Sequence, residues 1–250
     1  MTESEPTGGM ERAASRAGRF VSDFRRIQAR EKAKDQRQNK ARSAKSGSEP
    51  DFDPTSWSGA LLLMAGFTAV LWVVEIVNHS QHQRLDRFGL LPRHIDGLWG
   101  VLTQPFLHQS YGQLFSNTLP VLLIGWVLLL SGVRTWLFVT ASVTIVGGFA
   151  TWVVAPSEHV ILGASTLVFG WMGYLLARAF FSRKLKWIFT AIALLVFFGT
   201  LLGSLLPSVD RQTAWQSHVC GFAAGVFVGW LLHPRAPHHP NRSGSNPAVR

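Results

Sequence analysis

QTAWQSHVCGFAAGVFVGWLLHP, residues 212–234, is an uncharged run of 23 residues with His218 near its start and three glycines four apart. The hydrocarbon core of a bilayer is about 30 Å thick, and about 20 predominantly apolar helical residues cross it. No water reaches that layer, so a spanning segment must satisfy its own backbone and is read as a helix. Five more stretches read the same way: residues 55–74, the part of the uncharged run 97–133 from Gln113 onward, 135–157, 159–177 and 187–209. The fold expected is therefore an all-α membrane protein, a bundle of six transmembrane helices filling residues 56–234.

Charge sorts the rest of the chain. The 250 residues carry a net charge of +10, and 12 of the 24 Lys and Arg residues precede residue 50. Residues 1–55 hold too few large apolar side chains to offset their ordering entropy, so a disordered basic tail is expected there. Within it, Phe20, Val21, Phe24 and Ile27 have helical spacing, which fits either a short surface-lying helix or a solvated tail. Residues 235–250 read as a second disordered tail. No apolar stretch near residue 1 reads as a signal peptide, and the lone Cys220 has no partner for an intramolecular disulfide.

A basic tail fits nucleic acid, anionic lipid or an orientation signal, and the apolar remainder favours the last two over nucleic acid. With the tail inside, 20 Lys/Arg lie inside, against Arg84, Arg87, Arg93 and Arg211 outside. The expected address is the cell membrane, multi-pass, with both termini cytoplasmic. The outside connection 79–112 contains Leu90, Leu91, Ile95, Leu98, Trp99 and Phe106, which fits a partly embedded loop shielded by protein.

Polar groups inside spans are expensive and mark candidate sites. Ser165 precedes the boundary charge Arg178 by 13 residues, about 20 Å of helix, and His218 precedes Pro234 by 16, about 24 Å. Asn117 precedes Arg134 by 17 residues, about 26 Å, on another inward-running span. The three side chains reach comparable depth. A serine hydroxyl becomes a nucleophile when a neutral imidazole takes its proton, so Ser165 is the candidate nucleophile and His218 its general base. No Asp or Glu lies in the fourth or sixth span, and Glu75 sits towards the outer end of the first. A Ser–His dyad without a carboxylate follows. Candidate donors for the oxyanion are the Ser165 N–H and the Asn117 amide, with Gln113 as a further one; Asn117 reads equally well as an interhelical packing contact. Gly221, Gly225 and Gly229, with Gly170 and Gly173, let two helices approach closely.

Gly163-Ala164-Ser165-Thr166 through Gly170 resembles the serine motif of the rhomboid intramembrane proteases. His218-Val219-Cys220-Gly221 through Gly225 resembles that family's histidine helix, and Pro105-Phe106-Leu107-His108 with Gln113 through Asn117 its loop and second helix. The likeness covers residues 58–233 in the family's order. It implies hydrolysis of peptide bonds in or near the transmembrane segments of membrane-protein substrates, without metal or cofactor, from a cavity open to the outer side. Three positions depart from the pattern: Thr166 where the family commonly has Gly, Gln113 where it has His, and Trp99-Gly100 where it often has Trp-Arg.

The expected activity is that of a serine endopeptidase of membrane proteins. A non-catalytic rhomboid-like protein that binds transmembrane clients is the alternative, and it would need neither Ser165 nor His218. A transporter fits less well, since no duplicated half or charged pathway is evident. His79 and His82, like His238 and His239, lack a closed ligand set for a metal. His108 belongs to the loop's hydrogen bonding, with no catalytic role.

Overall fold

Ser56 opens the first long helix: its hydroxyl accepts the Gly59 N–H at 3.0 Å, satisfying a donor that every helix start leaves free. The computed structural model describes residues 22–38, 53–207 and 215–233. Its helices are α1 (residues 22–38), α2 (Trp57–Ser80), α3 (Gly100–Thr103), α4 (Tyr111–Leu129), α5 (Val133–Ser142), α6 (Gly148–Val154), α7 (Ser165–Ser182), α8 (Leu185–Phe198) and α9 (Trp215–Leu231). A π turn, Val143–Gly147, joins α5 to α6, and a 3-10 stretch, Gly199–Leu205, continues α8. Among the described residues the one β-type pairing is an isolated antiparallel bridge between Leu90 and Ile161.

Among the described residues, four helical segments are long and apolar enough to cross a membrane: Trp57–Ser80, Tyr111–Leu129, Val133–Val154 and Leu185–Leu205. Each turns large apolar side chains outward, among them Leu62, Phe115, Phe149 and Phe197. In water such a surface would drive association; in a bilayer it is the solvated face. The protein is a multi-pass membrane protein.

α7 is the centre of the bundle. Its Trp171, Met172 and Leu175 are fully buried, together with Met64 of α2 and Leu114, Ile124 and Leu128 of α4. It packs most closely on α9, and the glycines explain how. A Cβ on Gly221 would lie 2.3 Å from the Thr166 carbonyl oxygen, and one on Gly225 only 1.9 Å from that of Gly170. Across the interface, a Cβ on Gly173 would lie 2.4 Å from the Phe222 carbonyl oxygen. Backbone therefore meets backbone along the whole seam, as small-residue faces permit in lipid.

The elements differ from the sequence reading in three places. The first helix runs to Ser80, so Glu75 lies inside it, fully buried. The fourth begins at Ser165, not near 159, because Ile161 exchanges backbone hydrogen bonds with Leu90 (2.8 and 3.1 Å) and Gly163 takes φ +122°. The basic tail is helical over the described residues 22–38 (α1), which reach beyond the 20–27 stretch read from spacing; Phe20 and Val21 of that stretch lie outside the described residues. It is held to the bundle by Phe24 against Phe138 (4.9 Å between centroids) and by an ion pair of Glu31 with Arg134. Residues 1–21, 39–52, 208–214 and 234–250, with Arg211, His238 and His239, lie outside the described residues.

Candidate functional site

The turn that starts α7 is built from the loop before it. Gly163 donates its N–H to the Gln104 carbonyl at 2.9 Å, in a positive-φ conformation that an L side chain adopts only with strain. The chain then enters the helix with Ser165 as its first residue. First-turn N–H groups of a helix have no intrahelical acceptor and carry the positive end of its dipole. Ser165 therefore sits where a developing negative charge is favoured.

α9 brings His218 to the same place. Its Nε2 lies 3.0 Å from Ser165 Oγ, and its Nδ1 lies 3.1 Å from the Ser204 carbonyl oxygen. A carbonyl only accepts, so Nδ1 carries the proton and Nε2 presents its lone pair to the hydroxyl. The ring stacks on Phe169, one turn along α7 from Ser165, at 4.4 Å between centroids. Ring face and ring edge are thus both held. The Ser204 carbonyl stands where a carboxylate often orients a histidine.

A cavity of about 470 Å³ opens over the pair, lined by Ser165, His218, Asn117, Gln113, Ser116 and His159 among others. Asn117 is buried, and its Nδ2 has no hydrogen-bond acceptor among the described residues. An amide donor left unpaired in a buried site is costly unless something else occupies it. Gln113 is arranged otherwise. Its Nε2 donates to the Leu162 carbonyl at 3.0 Å and its Oε1 accepts the Gln109 N–H at 2.8 Å, so both ends of the amide are engaged in holding loops. Of the four side chains singled out by sequence, Ser165, His218 and Asn117 line one cavity, the first two joined through Oγ and Nε2, and Gln113 joins them as a brace.

Several contributors were not legible as functional. His108 is completely buried, and its Nε2 accepts the Ala164 N–H at 3.4 Å, next to Ser165. Burial pushes its pKa down to about 4, so the ring is neutral at physiological pH. The Ser204 carbonyl is a backbone group, and the only hint of it is the glycine-broken stretch Gly199–Gly203 at the end of an apolar run. Glu75 does not line the cavity. At Gly100 a Cβ would lie 2.2 Å from Leu90 Cα, so the position following Trp99 has no room for a long side chain. Among the described residues no group of three or more His, Cys, Asp or Glu could hold a metal ion.

Comparison with known proteins points one way. The Rhomboid domain model matches residues 96–235. An uncharacterized protein of Mycobacterium tuberculosis is 37% identical over 177 residues, which is 66% of this chain and 72% of that one. An uncharacterized protein of Mycobacterium leprae is 34% identical over 196 residues, 75% of this chain and 76% of its own. A Bacillus subtilis protein that carries a rhomboid-protease name, YdcA, is 26% identical over 140 residues, 53% of this chain and 66% of its own.

Proposed function

The chain is a member of the rhomboid family, and from that premise we propose that it is an intramembrane serine endopeptidase cleaving membrane proteins in or near their transmembrane segments. The observation that carries this reading is the 3.0 Å approach of His218 Nε2 to Ser165 Oγ, with Nδ1 committed to the Ser204 carbonyl. A base held in the right tautomer against a hydroxyl is what acyl transfer requires.

The mechanism follows from the geometry. Ser165 Oγ attacks the scissile carbonyl carbon while its proton passes to His218 Nε2. The imidazolium that forms is stabilised by its Nδ1–H bond to Ser204, and Phe169 keeps the ring from turning. The oxyanion of the tetrahedral intermediate takes hydrogen bonds from the Ser165 N–H and the unpaired Asn117 Nδ2. His218 then protonates the leaving amine, the C–N bond breaks, and an acyl-enzyme remains on Ser165. Water entering the polar-lined cavity loses a proton to His218 and attacks the acyl carbonyl, releasing the new carboxyl terminus and restoring the dyad. No cofactor is needed for these steps.

In the membrane, α7 and α9 add two crossings to the four apolar segments, giving six, with both termini on the cytoplasmic side. α7 and α9 have 18 and 17 residues, about 27 and 26 Å of helix, and their polar positions face neighbours in place of lipid. The test is direct. Purified protein in detergent should cleave a single-span substrate, and Ser165→Ala should leave it uncut. Cleavage by that variant at the wild-type rate would overturn the reading, and binding of substrate without cleavage by the wild type would favour a client-binding protein.

A further inference from the structure

A second cavity, of about 340 Å³, lies at the end of α7 away from Ser165. Arg25 of α1, Arg178 and Ser182 of α7, Lys184, Trp187 of α8 and His233 all line it, and no acidic side chain among the described residues does. Three permanent cations thus converge on one hollow.

Two of the three, Arg178 and Arg25, are held there by specific contacts. Arg178 Nη1 donates to Tyr174 Oη at 2.9 Å while its guanidinium lies 4.0 Å over the Trp187 ring, which fixes the plane of the fork. Arg25 Nη2 donates to the Leu231 carbonyl at 2.9 Å and to that of His233, tying α1 to the end of α9. Arg178 and Lys184 have no ion pair among the described residues; an ion pair from α1 joins Glu31 to Arg134, neither of which lines the cavity. Ser182 adds an independent sign of a missing ligand, since its Oγ is buried and finds no hydrogen-bond partner among the described residues. A guanidinium fork, an ammonium and a free hydroxyl fit a phosphate.

The surroundings identify which phosphate. Phe180, Leu185 and Phe189, next to the lining residues in sequence, expose 72%, 71% and 67% of their surfaces. That is surface for acyl chains, and basic pockets between helices at a membrane boundary take anionic headgroups. We propose that this cavity binds the phosphate of an anionic phospholipid, bridging α1 to the inner ends of α7, α8 and α9. The proposal rests on the membrane reading and not on proteolysis.

The full chain, in a non-ionic detergent, would be titrated with dioctanoyl phosphatidylglycerol, dioctanoyl phosphatidylcholine and inorganic phosphate, reading the thermal midpoint. The glycerol lipid should raise the midpoint saturably, with little response to the choline lipid. Its apparent affinity should fall about fivefold in Lys184→Gln and about 25-fold in Arg178→Gln/Lys184→Gln, on the usual contribution of one cation near an anionic lipid. Should the double variant not fold, Lys184→Gln and Ser182→Ala decide. Unaltered affinity in the variants would overturn the site, as would an equal response to the choline lipid. Saturation by inorganic phosphate, with nothing further from lipid, would overturn the lipid as its source. Ser165→Ala should bind as the wild type does, so failure of the protease reading and failure of this one are separable.

Discussion

α7 and α8 follow each other in the chain and are both helical, yet they meet opposite surroundings. α7 buries 12 of its 18 residues and α8 two of its 14. α8 is apolar apart from Lys186 and Thr190 and turns Val196 and Phe197 outward, whereas α7 buries Thr166, Gly170, Gly173 and Tyr174 among other helices and holds Ser165 half-buried at the cavity. Hydropathy therefore finds the helix that faces lipid and understates the helix that faces protein. Chemistry belongs on the second kind, because polar groups tolerated in the interior of a bundle are shielded from hydrocarbon and fixed by neighbours.

If that contrast governs function, substitutions on α7 and its partners should matter far more than those on α8. The largest effect is expected from Ser165→Ala or His218→Ala, each lowering the cleavage rate by about 10³-fold or more, with the double variant no worse than either. An additive double loss, measured in the same assay, would show that the two do not act as a unit. Next, Asn117→Ala should lower kcat about 10²- to 10³-fold with KM little changed, the signature of a lost oxyanion donor. Gln113→Ala should cost less. A larger loss for Gln113→Ala would reverse the roles assigned to the two amides.

Stability should show the same contrast. His108 has its folded pKa lowered from 6.5 to about 4, so its contribution is complete above about pH 6.5 and is lost as pH falls towards 4. Over that window the loss amounts to about 3 kcal/mol. A thermal-midpoint profile between pH 7 and 4.5 should slope accordingly and flatten in His108→Gln. Gly225→Leu, which drives a side chain into the Gly170 carbonyl, should destabilise by about 1–3 kcal/mol and lower activity by parting α7 from α9. Gly203→Ala, beyond α8, meets nothing within 4 Å and should change the midpoint by less than about 0.5 kcal/mol equivalent. Phe197→Leu on the lipid-facing side of α8 should have the smallest effect of all.

Much of this was legible because transmembrane sequence is so constrained. A serine, a histidine and an asparagine stand out in runs of Leu, Val and Phe, and counting residues to the nearest boundary charge, or for His218 to Pro234, brings them to comparable depth. The close approach of α7 and α9 was legible too, in glycines spaced at helical periods. What the sequence hid are the long-range and backbone features. The pairing of Leu90 with Ile161, which delays the start of α7 until Ser165, joins residues 71 positions apart. The acceptor for His218 Nδ1 is a main-chain oxygen, and every residue has one. Gln113 looked like a free donor because residue type alone does not say that Leu162 and Gln109 engage both ends of its amide. The docking of α1 through Phe24, Gln28 and Glu31 depends on partners in α5 that no local pattern indicates.

The central claim is that His218 activates the Ser165 hydroxyl, and covalent trapping tests it most directly. A fluorophosphonate probe applied to the detergent-solubilised protein, followed by peptide mass spectrometry, should place the phosphonyl adduct on Ser165 Oγ. The adduct should be absent, or slower to form by about 10³-fold, in His218→Ala. An adduct on another residue, or labelling of Ser165 at an unchanged rate without His218, would contradict the account.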